Sequence, residues 1–167
     1  MVFKETENMI PEAFWSRMKK VQTIHRRLYD RGMGWIVGKI ILLLTHTGRK
    51  SGAVYVTPLQ YEKIDGVYYV AAGRGPRADW FRNVQANPCV HVRVGRQEFD
   101  CTAEAVTEPE RAADFLEYRL KRHPLMVGLI MKIAHKLPMR PGRSQLLELG
   151  KTTPMVILRP PKRMESK

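Results

Sequence analysis

The sequence predicts a mainly β, α+β fold: a small β-barrel with helical decorations. Three observations point there. Short β-rich runs are punctuated by compact turns, with Asp65-Gly66 and Gly95-Arg96 standing as two-residue hairpin connections. The clearest of these runs alternate apolar and polar residues with a period of two. Few helical patterns fall between successive strands, whereas a doubly wound parallel sheet needs regular strand–helix alternation. A chain of 167 residues is the length of one domain and can bury most of its apolar surface without disulfides or a structural metal.

Residues 11–31 read as a helix. Pro11 suits its first turn and Glu12 its positive dipole end. Phe14, Met18, Val21 and Leu28 recur at helical spacing. Arg17, Lys19, Lys20, Arg26, Arg27 and Arg31 share the other face, and Gly32 and Gly34 stop the helix. Lys39–His46 is a β-rich run, followed by a turn through Gly48 and Gly52. Ala53–Ile64 reads as a second strand, in which Pro58 requires an edge, a bulge or a barrel bend. Val67–Ala72 returns antiparallel. The loop Gly73-Arg74-Gly75-Pro76 leads into a short helix from about Ala78 to Ala86, ended by Asn87-Pro88.

Cys89–Val94 and Gln97–Val106 form a further hairpin. A two-residue turn sets Val94 opposite Gln97, His91 opposite Asp100 and Arg93 opposite Glu98. Val90, Val92, Val94, Phe99, Cys101 and Ala103 then share an apolar face. Cys89 and Cys101 fall on opposite faces, which argues against a disulfide between them. Two helices are predicted next, from about Thr107 to Lys121 and over Pro124–Leu137. Met126 and Met131 are expected to serve packing on the second. Pro154–Arg159 is the sixth and last strand, and a polar tail follows.

Hydrophobic residues make up 44% and charged residues 27%, which excludes a disordered chain. Twenty-nine Lys and Arg face sixteen Asp and Glu, a net +13, so the surface attracts anions. No secretory signal is visible, and the most apolar run, Trp35–Thr45, contains Lys39 and is far shorter than the ~20 residues a spanning helix needs. The expectation is a cytoplasmic protein whose basic amphipathic helix is suited to peripheral contact with anionic lipid or to packing on its own domain.

The richest segment is Thr45-His46-Thr47-Gly48-Arg49-Lys50-Ser51-Gly52. Glycines let such a turn close tightly and aim N–H groups at an anion, while Arg49 offers a fork and Lys50 a point charge. It is not a Walker A loop, because the residue five places before Gly48 is Leu43. Gly73-Arg74-Gly75-Pro76-Arg77-Ala78 imitates a dinucleotide fingerprint, but Pro76 interrupts it and the preceding strand belongs to a hairpin. The histidines at 25, 46, 91, 123 and 135 show no metal spacing, and His91 reads as a surface partner of Asp100. Ser51 has no evident base. With no nucleophile–base pair, a bound cofactor must bring any reactivity.

The segments Leu42–Gly52, Thr57-Pro58-Leu59, Ala71–Gly75 and Asp79–Pro88 resemble, in their order, the deazaflavin-dependent nitroreductase family, also called F-420H2-dependent quinone reductases. T-G-R-K-S-G and W-x-x-N-x-x-A-N-P are the most specific parts, and the likeness runs from about Ile40 to Arg159. It implies a split β-barrel of the FMN-binding, flavin-reductase type over residues 39–160. The N-terminal helix and linker, 1–38, precede it, helices lie between the last strands, and a tail covers 161–167. It implies a homodimer and coenzyme F-420, an acidic deazaflavin, as cofactor. Arg49, Lys50, Ser51 and Gly52 would hold the phosphate and tail. Ala72, Gly73, Arg74 and Gly75 would border the ring, Trp80 and Asn83 would shape the same wall, and Pro58 and Leu59 would pack beneath. The activity implied is hydride transfer from reduced F-420 to a small electron-poor acceptor such as a quinone, enone or nitro compound. Substrate-side tyrosines known in the family are missing from Arg143–Leu149. Two other readings share the fold: an FMN-dependent flavin reductase, and a non-catalytic carrier of lipid, haem or deazaflavin. Nucleic acid is not the expected partner, since Trp80 and Phe81 lie in a helix and no nucleic-acid motif is present.

Overall fold

The structure is a computed structural model that describes residues 40–161. The predicted helix over 11–31, the start of the first strand at Lys39 and the tail from 162 lie outside the described residues. Seven strands are present among the described residues: β1 (Ile41–Thr47), β2 (Val54–Gln60), β3 (Glu62–Ile64), β4 (Val67–Ala71), β5 (Cys89–Val94), β6 (Gln97–Val106) and β7 (Met155–Leu158). They form one antiparallel sheet in the order β2-β1-β5-β6-β7-β4-β3. Its two edge strands, β2 and β3, are consecutive in the chain and parted only by Tyr61, so the sheet curls until its edges meet.

The single strand expected over Ala53–Ile64 is therefore two. At Tyr61 the chain turns a corner and exchanges β1 for β4 as its ladder partner. The Tyr61 N–H donates to Ile40 O at 3.2 Å, and its ring packs edge-on against Tyr68. Pro58 has no N–H to give a second neighbour, and it lies on an edge strand whose partner is β1. The β5–β6 register is the predicted one, with Val94 opposite Gln97 and His91 opposite Asp100. Cys89 pairs across from Thr102 and Cys101 from Val90, and both thiols are free. β6 serves both halves of the barrel: Gln97–Thr102 pairs with β5, and Ala103–Val106 pairs with β7.

The barrel core contains Leu42, Leu44, Val70, Val92, Val156 and Leu158. Helix α1 (Asp79–Ala86), preceded by a 3-10 turn over Gly75–Arg77, adds Phe81 and Val84 to it, both fully buried. Three helices stand between β6 and β7: α2 (Pro109–Arg122), α3 (Pro124–His135) and α4 (Arg143–Thr152). They share a smaller core of Ala113, Leu116, Val127, Met131 and Leu146. α3 stops short of Leu137 because Lys136 takes a left-handed conformation at φ 54°.

The pattern of residues 143–152 did not announce α4. Leu146, Leu147 and Leu149 fall almost together, and Gly150 sits inside. Packing explains that glycine: a Cβ on Gly150 would meet Pro109 O at 2.5 Å, so α4 crosses the start of α2 at a distance only glycine permits. Met131 is buried as expected, but Met126 is 39% exposed, because it lies on an outward face of α3 with Leu125, Leu129 and Ile133. Among the described residues no helix is long and apolar enough to cross a membrane.

Candidate functional site

Strand β1 alternates, with Leu42 and Leu44 facing the core. The same alternation turns His46 inward, where it is only 4% exposed. Opposite, β2 sets Tyr55 across from His46 and Thr57 across from Leu44. The connection between the two strands closes on its own backbone, with Gly48 N donating to Ala53 O at 2.8 Å and Gly52 N to Gly48 O at 2.9 Å. Gly52 has φ +68° with open space around it. The Ser51 hydroxyl accepts from Ala53 N at 3.2 Å and lies 3.3 Å from the Tyr55 hydroxyl. Lys50 is exposed on the turn.

Helix α1 supplies the other side. Asn83, 5% exposed, accepts two hydrogen bonds at Oδ1, from Arg49 N at 3.2 Å and from Arg49 Nη1 at 2.9 Å. Its Nδ2 donates to His46 Nδ1 at 3.3 Å, which assigns the imidazole proton to Nε2, 3.0 Å from Thr57 Oγ1. Burial pushes the His46 pKa below its ordinary value and favours the neutral ring that this chain of bonds requires. Arg49 Nη2 also donates to Asp79 Oδ1 at 3.1 Å. The His46 ring stacks on Tyr55 with centroids 5.9 Å apart. These groups, with Gly48, Lys50, Ser51 and Trp80, line a cleft of about 480 Å³, within the size range of small-molecule sites.

A second cleft of about 490 Å³ includes His46, Thr45, Thr47, His91, Asp100 and Cys101 in its lining, and no lysine or arginine is among its lining residues. His91 Nδ1 lies 2.8 Å from Asp100 Oδ1 with both side chains well exposed, the predicted surface pair. Burial pushes the Cys101 thiol up to about 11, so it stays protonated and is no ready nucleophile.

Of the residues singled out from sequence, Arg49, Lys50, Ser51, Trp80 and Asn83 come together in the first cleft. Gly52 is beside them in the turn. The others do not line it. Leu59 is core, and Pro58 stands half-buried opposite Leu43. Ala72 is fully buried and donates its N–H to Pro154 O. Gly73 and Arg74 are exposed, while Gly75 is buried at φ +69°, where a Cβ would lie 2.6 Å from Thr152 O. The glycine there serves a close approach of α4, not an open surface. Sequence reasoning missed His46, Tyr55, Thr57 and Asp79. One signal was available: a histidine at an inward position of an apolar strand needs buried partners.

Residues 15–139 match the family described as F420H(2)-dependent quinone reductase. The chain belongs to that family. Two curated F420H(2)-dependent quinone reductases, from two strains of Mycobacterium tuberculosis, are each 35% identical over 92 residues, which is 50% of this chain and 61% of theirs. The chain thus spans less than two thirds of the length of these family members. A solved structure described as a domain-swapped dimer is 22% identical, covers 89% of this chain and 100% of its own, and superposes with a TM-score of 0.52, which shows a shared fold. The curled seven-stranded sheet with its helices is the split β-barrel expected of the family.

Proposed function

We propose that the cleft between the 48–53 turn and α1 holds coenzyme F-420, and that the protein is an oxidoreductase passing hydride from its reduced form to a small electron-poor acceptor. A quinone is the first acceptor class, since the family is named for it; enones and nitro compounds share the same electron demand. The observation that carries the reading is the set of donors on the turn. Exposed Lys50, the Ser51 hydroxyl and Arg49 gather at one rim of the cleft. A guanidinium carries more N–H groups than Asn83 and Asp79 engage, so Arg49 keeps donors for an anion while held in place.

When bound, the reduced deazaflavin supplies the hydride. The chain supplies binding and orientation. Lys50 and Ser51 meet the acidic phosphate and tail. Asn83 fixes both the backbone and the side chain of Arg49, and neutral His46 keeps Asn83 turned to do so. Tyr55 and Trp80 give the cleft its apolar walls. Hydride transfer needs no protein nucleophile, and the Thr57 hydroxyl accepts the His46 Nε2 proton rather than giving its own to a base there. The proposal includes a homodimer, since a protein sharing the fold is described as a dimer.

Parallel fluorescence titrations with oxidised F-420, FMN and a nicotinamide dinucleotide test the reading. Tight binding of F-420 alone is expected. Tight binding of FMN with no response to F-420 refutes it and makes the protein a flavin enzyme.

A further inference from the structure

Among the described residues, helix α3 leaves a large apolar face without cover. Leu125 is 78% exposed, Leu129 and Ile133 are each 50% exposed, and Met126 joins them. These positions fall on one side of a helix. Lys132 and His135 are the basic residues of α3's last turn, and its first turn has no acidic residue. The face therefore calls for an apolar occupant.

The chain outside the described residues enters the fold beside this face. Ile41 pairs with Gln60, and Ile40 O accepts from Tyr61 N at 3.2 Å. The Gln60 Nε2 in turn donates to Met126 Sδ at 3.5 Å. Residues 1–39 therefore join the barrel about one strand spacing, roughly 5 Å, from a residue touching the exposed face. They carry an apolar stripe of matching character: Phe14, Met18, Val21 and Leu28 at helical spacing. The eight residues from Gly32 to Lys39 span at most about 26–29 Å when extended. That reach exceeds the ~18 Å length of α3.

We propose that the apolar stripe of residues 11–31 docks on the Leu125–Leu129–Ile133 face of α3 in the same chain, leaving its Arg and Lys residues toward solvent. Three observations favour this occupant over lipid or a foreign partner. The attachment point is adjacent, and a short tether gives a high effective concentration. The two stripes are apolar, so neither needs an acidic counterpart. The family match begins at residue 15, so most of this segment lies within the family's own sequence.

Paired cysteines in the full chain, with Cys89 and Cys101 replaced by serine, provide the test. Met18→Cys with Leu129→Cys is expected to give an intramolecular product with a short bis-maleimide. Lys20→Cys with Leu129→Cys, on the opposite side of the predicted helix, should give little. Amide exchange gives a second readout: Phe14→Glu should speed exchange across 124–135 by about tenfold or more, because one buried aromatic anchor is lost. Exclusively intermolecular cross-links would overturn the proposal in favour of a second copy. Absence of cross-links, together with pelleting on phosphatidylglycerol vesicles at low salt, would overturn it in favour of a membrane. Unchanged exchange in Phe14→Glu with no cross-link would also refute it.

Discussion

Two glycine-and-arginine segments look alike in sequence and differ in the fold. The turn Gly48–Gly52 is exposed at its tip, closed by its own hydrogen bonds, and fixed from below by Asn83. The loop Gly73–Gly75 has its last glycine buried against the carbonyl at the end of α4. In the first, left-handed Gly52 has nothing within reach of a Cβ. In the second, Gly75 has a backbone oxygen 2.6 Å away. Glycine allows a chain to bend in both places, but only the first bend has open space beside its left-handed glycine. The same residue type therefore closes an exposed turn in one region and admits a neighbouring helix in the other.

The largest expected effect tests that contrast directly. Gly75→Val adds a Cβ against Thr152 O at a positive φ and should cost about 3 kcal/mol or more of stability. Gly52→Ala meets open space and should cost about 1 kcal/mol, the backbone penalty alone. Thermal melts of the pair decide it; equal losses would mean the loops do not differ as described. Asn83→Ala comes next. It strips Arg49 of two acceptor contacts and His46 of a donor, so about 2 kcal/mol of stability and about tenfold in F-420 affinity should go together. A loss of stability with full affinity would separate the turn from the ligand.

Lys50→Ala should change binding and not folding: about tenfold weaker F-420, with an unaltered melting temperature and a shallower dependence of affinity on salt. Unaltered affinity removes the turn from the site. The smallest effect is that of pH. Burial lowers the His46 pKa in the folded chain, so below the ordinary value of 6.5 the unfolded chain takes up more protons than the folded one. Stability is then full above that value and falls with falling pH until the folded imidazole titrates in its turn. His135 is depressed by the same cause and contributes in the same direction. Melts from about pH 7.5 to about pH 5 should show the decline, and His46→Asn should make it shallower. A protonated Nδ1 cannot accept from Asn83, so F-420 affinity should weaken at the lower pH at which the folded imidazole itself takes up a proton, below the range in which stability falls. An affinity independent of pH would mean that His46 does not hold the turn.

Where one face is buried and the turn is short, sequence alone sets the pairing. The β5–β6 hairpin follows the alternation of Val90, Val92 and Val94 residue for residue. The same rule failed to split Ala53–Ile64, because the corner at Tyr61 is imposed by the closing of the sheet and Pro58 marks only the edge. Helix α4 was hidden for a related reason: its leucines face the helical core, and Gly150 reports a crossing with Pro109 that no local pattern contains. At the site, Arg49, Lys50, Ser51, Trp80 and Asn83 were legible as motif residues. What held them was not. The route from Thr57 through His46 and Asn83 to Arg49 joins two strands, a helix and a turn, and only the fold brings them within hydrogen-bonding distance.

The pairing of β6 with β7 sets Val106 directly across from Met155, although the entire excursion from Thr107 to Pro154 lies between them. Bringing such distant residues together costs chain entropy that the local hairpins do not pay, and ladders of large sequence separation form slowly. The helices of that excursion have their own small core and shorten the gap once formed. Contact order makes the β5–β6 hairpin the expected earlier event and the pairing of β7 with β6 and β4 the expected later one. Since β7 is the strand that joins β6 to β4, a newly made chain would hold the β3–β4 hairpin apart from the rest of the sheet until β7 paired.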